Sequence, residues 1–135
     1  MSVEFKDNSA MVISQLEHAL ENFLIEACSE VEDATAKRTP VDTGQLKGSW
    51  AVQRVNKFEY YVGSPLEYAI WLEMGTGDYA LNHDGRQGGW VYIDPKTGKR
   101  VFTKGTKPKR MLYSAYMEKK GAIIKRGQSL GADFK

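Results

Sequence analysis

The sequence predicts an α+β domain: a long N-terminal helix and a C-terminal helix packed on a small antiparallel β-sheet, with a glycine-rich loop and hairpin inserted between them. Three observations carry this. Apolar residues recur at steps of three and four near each end of the chain. Two pairs of short alternating segments, each pair joined by a tight turn, lie between them. Seven of the thirteen glycines fall within residues 75–108. At 135 residues the chain fits a single domain with its own core. Hydrophobic residues at 41% and charged residues at 27% match an ordinary folded chain.

The first helix is expected over residues 9–37. Ile13, Leu16, Leu20, Phe23, Ala27, Val31 and Ala34 form its apolar stripe, and Asn8 or Ser9 is positioned to cap its start. Glu17, Glu21, Glu26, Glu30, Glu32 and Asp33 occupy the polar side, while Lys37 and Arg38 suit the negative end of the helix dipole. Pro40 disfavours a helical Thr39 and ends the helix. Asp42, Thr43 and Gly44 then supply turn chemistry. Strands are expected over residues 49–55 and 59–63, followed by a short helix over 67–74 with Tyr68, Trp71 and Leu72 turned inward. Trp90–Ile93 and Arg100–Thr103 flank Asp94-Pro95-Lys96-Thr97-Gly98-Lys99 and read as a β-hairpin. Residues 76–89 hold too little apolar content to pack alone, which is the pattern of a functional or flexible loop. The last helix is expected over residues 110–130; Gly121 and Gly127 weaken its second half by about 1 kcal/mol each relative to alanine. A partner would then be needed to keep that end from fraying.

Charge is unevenly placed. Residues 1–36 carry eight acids and one base (−7), residues 37–95 seven acids and six bases (−1), and residues 96–135 two acids and twelve bases (+10). Such a split fits acidic and basic helices side by side in one subunit, complementary faces between subunits, or a grip on DNA. The single cysteine, Cys28, excludes an intramolecular disulfide and cysteine-cluster metal sites; its place on the apolar side of helix 1 predicts a small core residue in a reducing cytoplasm. No apolar run approaches the roughly twenty residues of a membrane span, and the first residues do not read as a signal peptide.

No converging acid–base set can be assembled, so no catalytic residue, cofactor or metal ligand is expected. His18 sits among Glu17 and Glu21 and reads as solvated; Asp78, His83 and Asp84 match no metal spacing. Gly85-x-x-Gly88-Gly89 lacks the Gly-Lys-Ser/Thr ending of a phosphate loop. The bases Lys96, Lys99, Arg100, Lys104, Lys107, Lys109 and Arg110 interleave with Trp90, Tyr92 and Phe102, which could hold a nucleic-acid backbone. A solvated hairpin edge or a protein contact is the preferred reading, because no nucleic-acid fold signature accompanies the charges.

Three motifs carry a resemblance. Thr39-Pro40-Val41-Asp42-Thr43-Gly44-Gln45-Leu46-Lys47-Gly48-Ser49, then Tyr68-Ala69-Ile70-Trp71-Leu72-Glu73-Met74-Gly75-Thr76-Gly77, then Pro108-Lys109-Arg110-Met111-Leu112 occur in this order. Together they resemble the neck and tail-completion proteins of long-tailed bacteriophages (siphophages), across most of the chain. The resemblance implies a structural virion protein without enzymatic activity or cofactor. It would form a homo-oligomeric ring in the neck that joins the DNA-filled head to the tail, after passing through the host cytoplasm. Its neighbours would be a head-closure or connector protein and a tail terminator or tail-tube protein, with non-specific contact to packaged DNA and none to membrane. A tail terminator capping the tube, or a DNA-binding accessory protein, are the alternatives. On this reading Asp42, Thr43 and Gly44 form the corner, and Glu73, Gly75, Thr76 and Gly77 form the turn from which the long loop leaves. The expected interface comprises Glu17, Glu21, Glu30, Asp42, Gly75, Thr76, Gly77, Trp90, Lys99, Arg100, Lys104, Lys109 and Arg110. Residues 75–108 would order only on docking. The chain departs from the family pattern at Ile70-Trp71, where a proline and a smaller aromatic often stand, and at Lys109-Arg110-Met111-Leu112, where proline and phenylalanine are favoured.

Overall fold

The computed structural model describes residues 8–40 and 44–132. It is an α+β fold whose elements run α1 (Ser9–Arg38), α2 (Gly44–Lys47), β1 (Ala51–Asn56), β2 (Glu59–Gly63), α3 (Tyr68–Met74), β3 (Trp90–Ile93), β4 (Arg100–Thr103) and α4 (Met111–Ala132), with a 3-10 turn at Gly77–Tyr79. The strands make two separate antiparallel hairpins, β1–β2 and β3–β4, rather than one continuous sheet.

Helix α1, at 30 residues, is about 45 Å long. Asn8 makes no side-chain cap; its carbonyl accepts from the Val12 amide at 3.0 Å. The helix stops at Thr39, which is extended at φ −78° and ψ 132°, as the following proline requires. Helix α4 lies along α1, and the β1–β2 hairpin packs on the same helix. The apolar stripe is buried only where these neighbours cover it: Ala27, Val31 and Ala34 are buried, whereas Ile13 is 56% exposed. The α1 start, with Met11, Val12 and Ile13 exposed, therefore stands clear of the body. Cys28 is half-buried at the edge of this layer rather than in the core.

The core is small. One cluster joins Leu46, Trp50, Ala69 and Met111; a second joins Val31, Ala34 and Ala115. Trp50 closes the corner after α1, its indole N–H donating to Thr39 Oγ1 at 2.8 Å while the Thr39 hydroxyl donates to the Thr35 carbonyl at 2.8 Å. The first motif is thus part scaffold and part surface: Leu46 is fully buried and Ser49 meets Ser64 at 2.6 Å, while Gly44, Gln45, Lys47 and Gly48 are exposed. Asp42 and Thr43 lie outside the described residues.

Helix α4 runs to Ala132, past both glycines. Gly127 meets the Phe23 ring, so that end is held against α1 within the chain. Trp71, expected inward, is 52% exposed, as is its neighbour Ile70 at 62%; Leu72 and Tyr68 do pack on the core.

Candidate assembly surface

The second motif works as a clasp. The Glu73 carboxylate accepts from the Leu112 and Tyr113 amides, both at 2.9 Å, at the start of α4. Those amides have no partner inside the helix, and the positive end of the dipole faces the carboxylate. The Lys109 amide donates to the Leu72 carbonyl at 2.7 Å, tying the third motif to α3. Hydrogen bonds to a charged partner contribute about 1.5–3 kcal/mol. Replacing Glu73 by alanine should therefore lower stability by about 2 kcal/mol in urea denaturation, and a glutamine, which keeps one acceptor, by less.

Gly75, Thr76 and Gly77 start the loop as anticipated, but they also lock its two ends together. The Thr76 amide donates to the Thr106 carbonyl, the Thr106 amide to Thr76 Oγ1 (each 2.9 Å), and the Asp78 amide to the Lys104 carbonyl at 2.8 Å. Asp78 also accepts from the Gly88 amide at 3.0 Å. The β3–β4 hairpin grows from this crossing. Its tip is an Asx turn in which Asp94 Oδ1 accepts from the Lys96 amide and Gly98 takes φ +69°.

The expected acidic contacts are engaged inside the chain. Glu17 pairs with Lys57 at 3.3 Å, Glu21 with Arg54 at 2.9 Å and Glu30 with Arg126 through both oxygens, at 2.7 and 2.6 Å. The Tyr60 hydroxyl, donating to Glu21 at 2.9 Å, and the Arg54 guanidinium hold the Glu21 carboxyl below its ordinary value. Side-by-side neutralisation within the subunit thus absorbs much of the acidic excess. Among the described residues no base pairs with Glu26, Glu32 or Asp33, and no acid pairs with Lys96, Lys99, Arg100 or Lys104.

Arg110 turns inward, its guanidinium stacked 4.3 Å from the Tyr113 ring centroid and donating to Met74 Sδ at 3.2 Å. Arg86 lies over Trp90 at 5.6 Å and Lys107 over Tyr79 at 5.8 Å, so these aromatic faces already carry a cation. Burial pushes the Cys28 thiol above its ordinary value, away from a reactive thiolate. His18 and His83 are exposed, and among the described residues no group of three His, Cys, Asp or Glu could hold a metal. No described helix is long and apolar enough to cross a membrane.

Much apolar surface is exposed as well. Val91, Ile93 and Phe102 share one face of the second hairpin at 52%, 67% and 60% exposure. Tyr92, on the other face, is exposed as well. Ile70 and Trp71 border a cleft of about 420 Å³ that reaches the Gly75-Thr76-Gly77 turn and Trp90. A groove of about 390 Å³ runs between α1, β2 and α4, floored by Ala27 and Val31 and walled by Val62, Tyr116 and Ile123. Sequence spacing alone missed these surfaces, because alternation marks a strand without saying whether a second layer covers it.

Residues 7–75, just over half of the chain, match a protein-family model described as "HK97-gp10_like: Bacteriophage HK97-gp10, putative tail-component". The match takes in α1, the corner, the first hairpin and α3, and stops at the start of the glycine-rich loop. No curated protein matches the chain, and no solved structure does.

Proposed function

The chain belongs to the HK97-gp10-like family of bacteriophage tail components, and on that premise we propose that it is a structural virion protein that forms part of a ring in the neck, joining the DNA-filled head to the tail. It acts by contact and carries out no reaction. Its neighbours are further copies of itself, a head-closure or connector protein on one side and a tail terminator or tail-tube protein on the other. It folds in the host cytoplasm and ends in the virion.

One observation supports this reading above the others. Among the described residues nineteen large apolar or aromatic side chains are exposed, while the buried hydrophobics of any size beyond alanine are Val31, Leu46, Trp50 and Met111. A monomer rarely leaves apolar surface in contiguous patches larger than a few hundred Å² unless something covers it. A protein whose work is to be held by neighbours on several sides has that distribution; an enzyme built round one cleft does not. The unpaired hairpin bases add a face that would be attracted to acidic protein or to DNA phosphates.

Electron microscopy of a lysate from a phage lacking this gene tests the reading. Filled or leaking heads beside separate tails of normal length are the expected result. Tails of irregular length would move the assignment to a tail terminator, and intact infectious virions would overturn it. Ring assembly should also weaken between 0.1 and 1 M salt, since the Debye length falls from about 10 to about 3 Å. Sedimentation indifferent to salt would remove the electrostatic part of the proposal.

A further inference from the structure

We infer that the β3–β4 hairpin is an arm that lies on the outer side of helix α1 of a second copy of this chain. The inference rests on the ring reading above and assigns its subunit contact. The hairpin has four-residue strands, and no helix of its own subunit packs against it to any extent comparable with its strand-on-strand pairing. A lone two-stranded hairpin is marginal in water, so this one calls for a covering surface. On its apolar face Val91 pairs with Phe102, and Ile93 with Arg100. Lys96, Lys99 and Lys104 stand near by on the tip and on the segment leaving β4.

The outer side of α1 offers the opposite chemistry. Met11, His18, Ile25 and Glu32 follow one another at seven-residue steps, on the side away from buried Ala27, Val31 and Ala34. Met11 and Ile25 are 55% and 42% exposed. Glu32 in this row, and Glu26 and Asp33 on its flank, are acids of α1 that form no ion pair among the described residues of their own subunit. The dimensions agree. A four-residue strand covers about 13 Å, and Ile25 to Asp33 spans about 12 Å along the helix. An apolar face with unpaired bases thus meets Ile25 with unpaired acids following it, on different faces of one chain. Such a contact is heterologous, the kind that builds a ring when its rotation closes.

Charge exchange in the intact phage tests this. R100E/K104E and E26K/D33K, each supplied from a plasmid to the deletion phage, should each lower the plating efficiency on the order of 100-fold, since like charges placed together cost several kcal/mol. The four changes combined should restore it. A quadruple variant no better than either double, or a double that plates like the unmodified gene, would overturn the inference. A second measurement covers variants that fail to fold. In a Cys28→Ala background, Ile25→Cys with Phe102→Cys should give a disulfide ladder of this chain in oxidised virions. Intact virions without a ladder, or Phe102→Cys trapped on a protein of another kind, would overturn it. Failure of the underlying reading looks different: the deletion phage itself would then produce joined, infectious particles.

Discussion

Leu46→Ala is expected to lower the unfolding free energy by about 2–5 kcal/mol, the range for deleting a buried leucine side chain. Leu46 is fully buried and joins Trp50, Ala69 and Met111 in the larger core cluster, with Ala36, Leu66, Tyr68, Leu72 and Leu112 packed round it. It therefore couples the end of α1, the corner and the starts of α3 and α4. A typical domain has about 5–15 kcal/mol in all, and with so few large side chains buried there is little to spare. Urea denaturation of the isolated protein should show the midpoint falling with an unchanged slope. Ile93→Ala is the comparison, because Ile93 is 67% exposed and should move stability by no more than about 0.5 kcal/mol. If Ile93→Ala destabilised the isolated protein as much as Leu46→Ala, the second hairpin would be packed within the subunit, and both the size of the core and the hairpin arm would be wrong. Ile93 is expected to matter only once copies assemble.

Local signals in the sequence were sufficient for the elements and insufficient for their partners. The helix stripes, the proline stop at Pro40 and the Asp94–Gly98 turn are set by neighbours within a few residues, and these features appear where expected. The β3–β4 pairing follows the predicted segments residue for residue. Trp71 is exposed although Tyr68, three residues before it, packs on the core, because a seven-residue helix is too short for its period to fix how wide a face the core covers. Ile13 continues the stripe in sequence, but neither α4 nor the first hairpin covers the start of α1. The expected contact acids Glu17, Glu21 and Glu30 find bases 40, 33 and 96 residues away, separations that charge counting cannot resolve. The cap made by Glu73 joins groups 39 and 40 residues apart, so the motif could be noticed while its task stayed hidden. The exposed apolar face is the deepest of these gaps, since it depends on which layer is absent.

Alanine at Gly77 or Gly105 is expected to open the crossing from which the hairpin grows. The two glycines approach each other's strands reciprocally: a Cβ on Gly77 would meet the Lys104 carbonyl, and one on Gly105 the Thr76 carbonyl. Both also hold positive φ, +61° and +116°. Backbone strain of this kind costs about 1–3 kcal/mol per residue, and the overlap with backbone atoms adds to it because a carbonyl cannot rotate away as a side chain can. The glycines of this loop read in the sequence as freedom to move; at these two positions they instead permit contact. The expected loss is therefore local order with little loss of the α1–α4 body. Limited trypsin digestion reads it directly. In the parent protein cleavage should fall in the hairpin tip, at Lys96 or Lys99, whereas either variant should be cut faster at Lys104, where the crossing now holds the chain. Gly121→Ala provides a control of opposite sign: it lies within α4 with nothing inside 4 Å of the new Cβ, and should stabilise by about 1 kcal/mol. Equal tryptic patterns for Gly105→Ala and Gly121→Ala would mean that the crossing bears no load. The hairpin would then have no fixed base from which to reach a neighbouring subunit.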